Sequence, residues 1–193
     1  MILLLLASVA VVVALLTGGR LSGLAAPGLR VGWLAFVALA LQVCAVYAQQ
    51  PSWLPRTLLV ASHVMLLAVV FFNTRVPGAP LIGAGLLANA AAMLANGGYM
   101  PVTPDAVARA GLESLITTTD SGVRILGSKD IVLSAAETRL AILTDTLVMR
   151  WPTGTVLSIG DVLLALGVCW FLIAALHGGS SGQPTEQKEQ APL

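Results

Sequence analysis

The chain has 193 residues, of which 57% are hydrophobic and only 10% are charged. A soluble domain carries about a quarter charged residues, so this composition excludes an ordinary soluble protein and makes the lipid bilayer the expected partner. The net charge is +1 and there is no basic cluster, which excludes nucleic acid as a partner.

Five long apolar runs divide the chain. A transmembrane helix needs about 17 to 25 largely apolar residues, and each run with its flanks approaches that length. The runs are Ile2–Leu16, Val31–Ala48, Thr57–Phe72, Ala79–Ala95 and Val156–Leu176. They predict an all-α membrane protein, a five-span transmembrane helix bundle with one extracytoplasmic segment of mixed short helices and strands.

Four regions follow from these runs. Residues 1–95 hold spans one to four, 96–155 form the extracytoplasmic cap segment, 156–177 form span five, and 178–193 form a disordered cytoplasmic tail. The first run is predicted to be a retained span rather than a signal peptide, because no Lys or Arg precedes it and Arg20 follows it.

The basic residues set the orientation. One side of the spans carries Arg20, Arg30, Arg75 and Lys188, whereas the short loop on the other side carries only Arg56. Because basic residues favour the cytoplasmic side, the N-terminus is predicted to lie outside and the C-terminus in the cytoplasm. Span four is rich in Gly and Ala, which predicts that it packs closely at the centre of the bundle.

The cap segment contains two helix starts. Thr103-Pro104-Asp105 is typical of a helix N-terminus, and Gly111 of its end. Ser134 and Glu137 have capping-box spacing, which predicts a second helix running through Leu140 and Leu143.

Short strands and a polar turn are predicted elsewhere in this segment. The strand candidates are Val123–Leu126, Ile131–Leu133 and Thr146–Trp151, and the turn is Thr117–Gly122. The rings of Tyr99 and Trp151 are expected at the membrane interface, which amphipathic aromatic residues favour.

Four polar residues from four spans share one depth. Gln42, His63 and Asn89 each lie six residues in from the predicted outer end of a span, about 9 Å at 1.5 Å per residue, and Asp161 lies slightly less deep. Buried polar groups must face one another or water, so these side chains are expected to point inward. They form either interhelical hydrogen bonds or an outward-opening ligand pocket.

Two further residues have competing interpretations. Ser158 and Asp161 have capping spacing at the start of span five, so Asp161 serves either as a cap or as a functional carboxylate. Asn96 opens the run NGGYMPV, which forms either a sharp membrane-exit turn or a loop facing a ligand.

The sequence lacks the usual signs of catalysis and of metal or cofactor binding. No nucleophile elbow, HExxH, CxxC or phosphate-binding glycine loop is present, so we expect no enzyme, no cofactor and no metal. His63 lacks a second ligand at its depth, and Cys44 and Cys169 are expected near opposite faces, too far apart for a disulfide.

Several local motifs occur together in this chain. They are Gly18–Ser22, Leu41-Gln42, Asn96–Val102 (NGGYMPV), Glu137–Leu140 and Ser158–Gly167 (SIGDVLLALG). With them the chain resembles a family of small bacterial multispan membrane proteins known as a domain of unknown function. The resemblance implies a multi-pass location in the bacterial cytoplasmic (inner) membrane and implies no activity.

Three functional hypotheses follow. The first is a non-enzymatic scaffold, sensor or accessory subunit with a membrane or extracytoplasmic protein partner. The second is a carrier or receptor for a small amphipathic ligand, such as a lipid or quinone, bound by Gln42, His63, Asn89, Asn96 and Asp161. The third and weakest is an intramembrane enzyme with His63 and Asp161 as an acid–base pair.

Overall fold

The computed structural model describes residues 2–25, 28–48, 51–151 and 154–178. The described residues form six α-helices and six short strands. The helices are α1 (Ile2–Leu16), α2 (Trp33–Tyr47), α3 (Trp53–Phe72), α4 (Ala79–Ala95), α5 (Pro104–Ala110) and α6 (Ile159–Gly178). Three 3₁₀ helices connect them, at Leu21–Ala25, Glu113–Leu115 and Ala141–Leu143. The predicted tail beyond residue 178 lies outside the described residues.

The prediction of an all-α bundle with five spans is wrong. Among the described residues only α3 and α6, with 20 residues each, are long and apolar enough to cross a membrane. The other long apolar helices are shorter, α1 and α2 with 15 residues each and α4 with 17. The sequence prediction counted apolar flanks as helix, but the extended Ala48 ends α2. Two β-sheets also add a second structural class.

Helices α3 and α4 each contain a proline near their start. Pro55 is in the first turn of α3 and Pro80 is in the first turn of α4. The first turn lacks intrahelical partners for its N–H groups, so proline costs little there. Consequently α3 starts at Trp53, four residues earlier than the apolar run predicted.

A four-stranded sheet and a two-stranded sheet lie at one end of the helices. The strands are β1 (Met100–Val102), β2 (Ile116–Thr119), β3 (Gly122–Ile125), β4 (Asp130–Val132), β5 (Leu147–Met149) and β6 (Thr155–Leu157). The large sheet has the order β1-β4-β3-β2, in which only the β1–β4 pair is parallel. Strands β5 and β6 form the antiparallel second sheet.

The local predictions for the cap segment have mixed outcomes. Helix α5 is confirmed, with the Thr103 hydroxyl accepting from Ala106 N–H and Gly111 ending the helix in a left-handed conformation. The helix predicted after Ser134 is wrong. Ser134 donates to Glu137 Oε2 at 2.7 Å, but only one turn forms, and the positive φ of Leu140 blocks a continuous helix. Of the turn predicted over Thr117–Gly122, Asp120 and Ser121 form a turn, whereas Thr117–Thr119 belong to strand β2 and Gly122 begins β3.

Helices α4 and α6 approach each other through four glycines. A Cβ atom on Gly78 would lie 2.1 Å from Gly167 O, and one on Gly85 would lie 2.5 Å from Gly160 O. Two glycines seven residues apart therefore lie against the partner's backbone on each side, Gly78 at the N-cap of α4 with Gly85 inside it, and Gly160 with Gly167 in α6. The close packing predicted for the fourth apolar run is present, and α6 is its partner.

One apolar cluster joins the helices to the large sheet. It contains Ala45, Leu59, Ala92, Met93, Tyr99, Met100 and Ile131. Tyr99 is therefore a packed core residue and not an interfacial one, while Trp151 is 79% exposed. A second cluster packs α5 against strands of both sheets.

The outer faces of the helices are apolar. Large exposed side chains include Phe36, Phe71, Leu94, Leu166 and Trp170, each more than half exposed. Burial of such surface from water is favourable by about 25 cal/mol per Å². Together with the length of α3 and α6, this surface is compatible with membrane association.

Candidate functional site

A cavity of about 590 Å³ lies between the helices and the sheets. Its walls come from α2, α3, α4 and α6, and its cover comes from the turn at 127–130, Asp145 and β6. The lining residues include Gln42, His63, Asn89 and Asp161, so the structure brings together four of the five residues predicted to bind a ligand. Ligand binding itself remains a prediction.

Asp161 is the centre of a buried hydrogen-bond network. Its carboxylate accepts from Asn89 Nδ2 at 2.8 Å and from Ser158 N at 3.2 Å. The Ser158 hydroxyl donates to Asn89 Oδ1 at 2.8 Å and accepts from Asp161 N at 3.0 Å. The capping pair predicted at the start of α6 is thus present, and Asn89 of α4 closes it into a three-residue network.

Lys129 covers this network from the turn between β3 and β4. Its Nζ lies 3.3 Å from Asp161 Oδ1, and its side chain is 25% exposed. Burial alone would lower the pKa of Lys129, but the charges of Asp161, Asp145 and Asp130 outweigh that effect and raise it. Lys129 therefore remains protonated, and its charge balances that of Asp161.

Two more carboxyl groups, from Asp130 and Asp145, face the same cavity. They are 7% and 1% exposed, and no described residue donates a hydrogen bond to Oδ1 of either one. The groups lie within hydrogen-bonding reach of each other. Burial, followed by the charge of Asp130, raises the pKa of Asp145 to about 9, and burial also raises the pKa of Asp130. At neutral pH the pair therefore retains at least one proton.

Strand β1 lies between these two acids. Met100 pairs with Asp130 on one edge of the strand, and Val102 forms a bridge with Asp145 on the other. Asp145 N also donates to Pro101 O at 3.1 Å. The backbone of β1 thus fixes the spacing of the two residues.

His63 and Gln42 contribute less constrained groups. The Nδ1 atom of His63 lies 2.9 Å from Leu59 O, and because a carbonyl only accepts, Nδ1 carries a proton. Gln42 is partly exposed and has no hydrogen-bond partner among the residues that the structure describes. Its amide is available to a molecule in the cavity.

Asn96 does not line the cavity. Its side chain accepts from Arg139 N at 2.9 Å and donates to Arg139 O at 2.8 Å. The same arrangement joins Asn73, after α3, to the backbone of Arg30. Of the two interpretations of Asn96, the structure supports a local role: it attaches the 134–143 segment to the end of α4.

Sequence reasoning missed Lys129, Asp130 and Asp145 as site residues. Gly127–Asp130 has the composition of a solvated turn, and Asp145 follows a polar threonine. One signal was available: two predicted strands flank Lys129, so its charged side chain was expected close to the buried backbone of a sheet. Its position over Asp161, 32 residues away, depends on how the sheet packs on the helices.

The described part of the chain contains no group of three His, Cys, Asp or Glu residues arranged to hold a metal ion. Cys44 and Cys169 are both free thiols. What the cavity offers is therefore a set of hydrogen-bonding and charged groups above apolar walls.

Comparison with known proteins identifies a family. The model of a family of unknown function, DUF5317, matches residues 28–173. The chain belongs to this family, which confirms the resemblance seen in its motifs. No curated protein and no solved structure matches the chain.

Proposed function

We propose that this DUF5317 protein binds a small amphipathic molecule in its cavity, as a carrier or receptor. The proposal rests on the change from polar to apolar lining residues along the cavity. Its sheet end holds charged and amide groups, whereas Leu66, Leu164 and Val168 line the other end. Val168 is seven residues beyond Asp161 in α6, so the apolar part extends about 10 Å from the polar part. Lipids and quinones have this distribution of polar and apolar groups.

We propose binding without catalysis. Asp161, the acid of the postulated acid–base pair with His63, is occupied by Asn89, Ser158 and Lys129. A carboxylate held by three donors is a poor proton carrier, because each donor stabilises its charged form.

The test is native mass spectrometry of protein released from nanodiscs made with bacterial lipids. We expect a discrete added mass on the wild type that is lost in the Gln42→Leu/His63→Leu variant. Val168→Trp, which fills the apolar end, should also lose it. Leu166→Trp is the matched control, since Leu166 is 55% exposed on the same helix and does not line the cavity. Identical bare spectra for all four proteins would refute ligand binding.

We further propose that the protein is embedded in the bacterial cytoplasmic membrane as a multi-pass protein, with the sheets outside. Helices α3 and α6 both begin at the sheet end. Helix α1 runs parallel to α6, because Leu6 lies against Cys169 and Thr17 against His177. The N-terminus would therefore lie outside and the end of α6 in the cytoplasm.

A scaffold, sensor or accessory role is our second candidate. It is favoured by Ile142 and Trp151, which belong to the sheet-bearing segment and are 73% and 79% exposed. If a protein partner covers them, a photo-crosslinker at position 142 should give one discrete adduct in cells. The same crosslinker at the exposed Thr118 should give none.

A further inference from the structure

The charges around the cavity do not balance. Lys129 donates to Asp161, which leaves Asp130 and Asp145 without a cation of their own. The other charged or titratable groups nearby are engaged elsewhere. Arg124 of β3 donates to Ala48 O and Ser128 O and lies over the Tyr99 ring, with its buried Nε unpartnered among the described residues, and it does not line the cavity. The Nδ1 atom of His63 is bonded to Leu59 O.

The two acids also have more hydrogen-bond acceptor atoms than the surrounding residues have donors for them. Asp130 and Asp145 both line the cavity, and the buried Oδ1 atom of each receives no hydrogen bond from the described residues. One proton shared between the two acids still leaves one negative charge and at least one unused acceptor. A buried charge in this state is costly unless a cation approaches it.

We propose that Asp130 and Asp145 form the head-group subsite of the cavity and that this subsite takes an amphipathic molecule with a single protonated amine. The inference rests on the proposed ligand binding and specifies the chemical class of the ligand. An ammonium group supplies one positive charge and up to three N–H donors. Its apolar chain would extend along α6 toward Val168.

The ligand's cation competes with protons for the acid pair. At low pH a second proton neutralises the pair, so binding of an amine weakens as the pH falls. Because burial raises the pKa values of both acids, that of Asp145 to about 9, this competition extends well above the range in which an exposed aspartate titrates. An alkylamine with a pKa near that of lysine, about 10.4, stays charged throughout.

The test uses three probes with the same octyl chain: octylamine, octanol and octanoate. Each is added to the full chain in nanodiscs, and binding is followed by the thermal midpoint and by bound mass in native mass spectrometry. We expect octylamine to bind at least about tenfold more tightly than the other two and more tightly at pH 8.5 than at pH 6. Each single Asp→Asn change mimics a protonated acid and leaves one carboxylate, so the double variant Asp130→Asn/Asp145→Asn is the one that should remove this preference. Asp105→Asn, at an exposed acid of α5, should keep it.

The possible failures are distinguishable. Equal binding of all three probes would overturn the ammonium subsite but leave amphipathic binding intact. Tighter binding of octanoate would also overturn it and point to Lys129 as the head-group partner. Binding of no probe would count against both proposals. If the aspartate variants do not fold, the probe preference and pH dependence of the wild type still decide the matter.

Discussion

Asp145 carries the most unusual environment of any single residue in the cavity. It is 1% exposed and lies beside a second buried acid, so its neutral form is favoured in the folded chain. In the unfolded chain an aspartate titrates near pH 3.9. The folded state therefore binds this proton more tightly, and the stabilisation is complete below about pH 4 and lost as the pH rises through about 9.

Asp145→Asn should remove that pH dependence. Asparagine cannot ionise, and its amide can still donate to Asp130. We expect the wild type to lose stability from pH 5 to pH 9, by up to about 1.4 kcal/mol per pH unit, and the variant to lose much less. Thermal unfolding in micelles at pH 5, 7 and 9 measures the difference, with Asp105→Asn as the control. An unchanged slope in Asp145→Asn would show that this group is not protonated in the folded state.

Among the secondary elements, the ends of α3 and α4 are fixed by the same device. An asparagine after each helix pairs with both backbone groups of a distant arginine, Asn73 with Arg30 and Asn96 with Arg139. Each side-chain amide thus forms the same pair of hydrogen bonds as a neighbouring residue in a β-sheet, and it fixes a loop that lacks regular structure.

Each asparagine should protect its own arginine from trypsin. Loss of two hydrogen bonds, each worth about 1 kcal/mol, should speed cleavage of the released segment by roughly tenfold or more. We expect Asn96→Ala to accelerate cleavage after Arg139 only, and Asn73→Ala after Arg30 only. Each variant is the control for the other, measured by timed digestion and peptide mass. Cleavage that accelerates at both sites in both variants would indicate general unfolding instead.

The contact between α4 and α6 should tolerate no side chain at Gly160. A Cβ atom there would lie 2.1 Å from Asn89 Oδ1 and 2.8 Å from Gly85 O. Backbone atoms cannot move aside without separating the helices, so we expect Gly160→Ala to cost about 3 kcal/mol. Gly28→Ala is the control, since nothing lies within 4 Å of its Cβ position. Equal midpoints of chemical unfolding for the two variants would contradict this packing.

For the whole molecule, the proposed orientation places the sheets and the α3–α4 turn on opposite sides of the membrane. Single cysteines at Thr118 and Thr74 test it in a Cys44→Ala/Cys169→Ala background, because both positions are exposed. We expect a membrane-impermeant maleimide to label Thr118→Cys in intact cells and Thr74→Cys only after lysis. The reverse pattern would invert the orientation, and labelling of both in intact cells would refute the membrane crossing.

The sequence predicted best where the physics is local. The apolar runs became helices, the Thr103 cap starts α5, and equal depth along helices brought Asn89 and Asp161 together. The prediction from sequence failed where the structure depends on contacts between distant parts of the chain. The run Val31–Ala48 is helical only between its caps, Gly32 and Ala48. The parallel pairing of β1 with β4, together with the bridge of β1 to Asp145, brought three charged residues over the cavity that no local pattern indicates.

Strand β1 is the last three residues of the NGGYMPV run, and its side chains carry no ionisable group. Its peptide groups nevertheless set the distance between Asp130 of β4, on one side, and Asp145, which bridges to Val102 on the other. Exchanging Met100 for another apolar residue should leave that distance unchanged, whereas a one-residue slip of β1 would alter it. The NGGYMPV motif thus acts as a spacer between two acids. The groups that can bind a ligand belong to Asp130 and Asp145 and not to the motif itself.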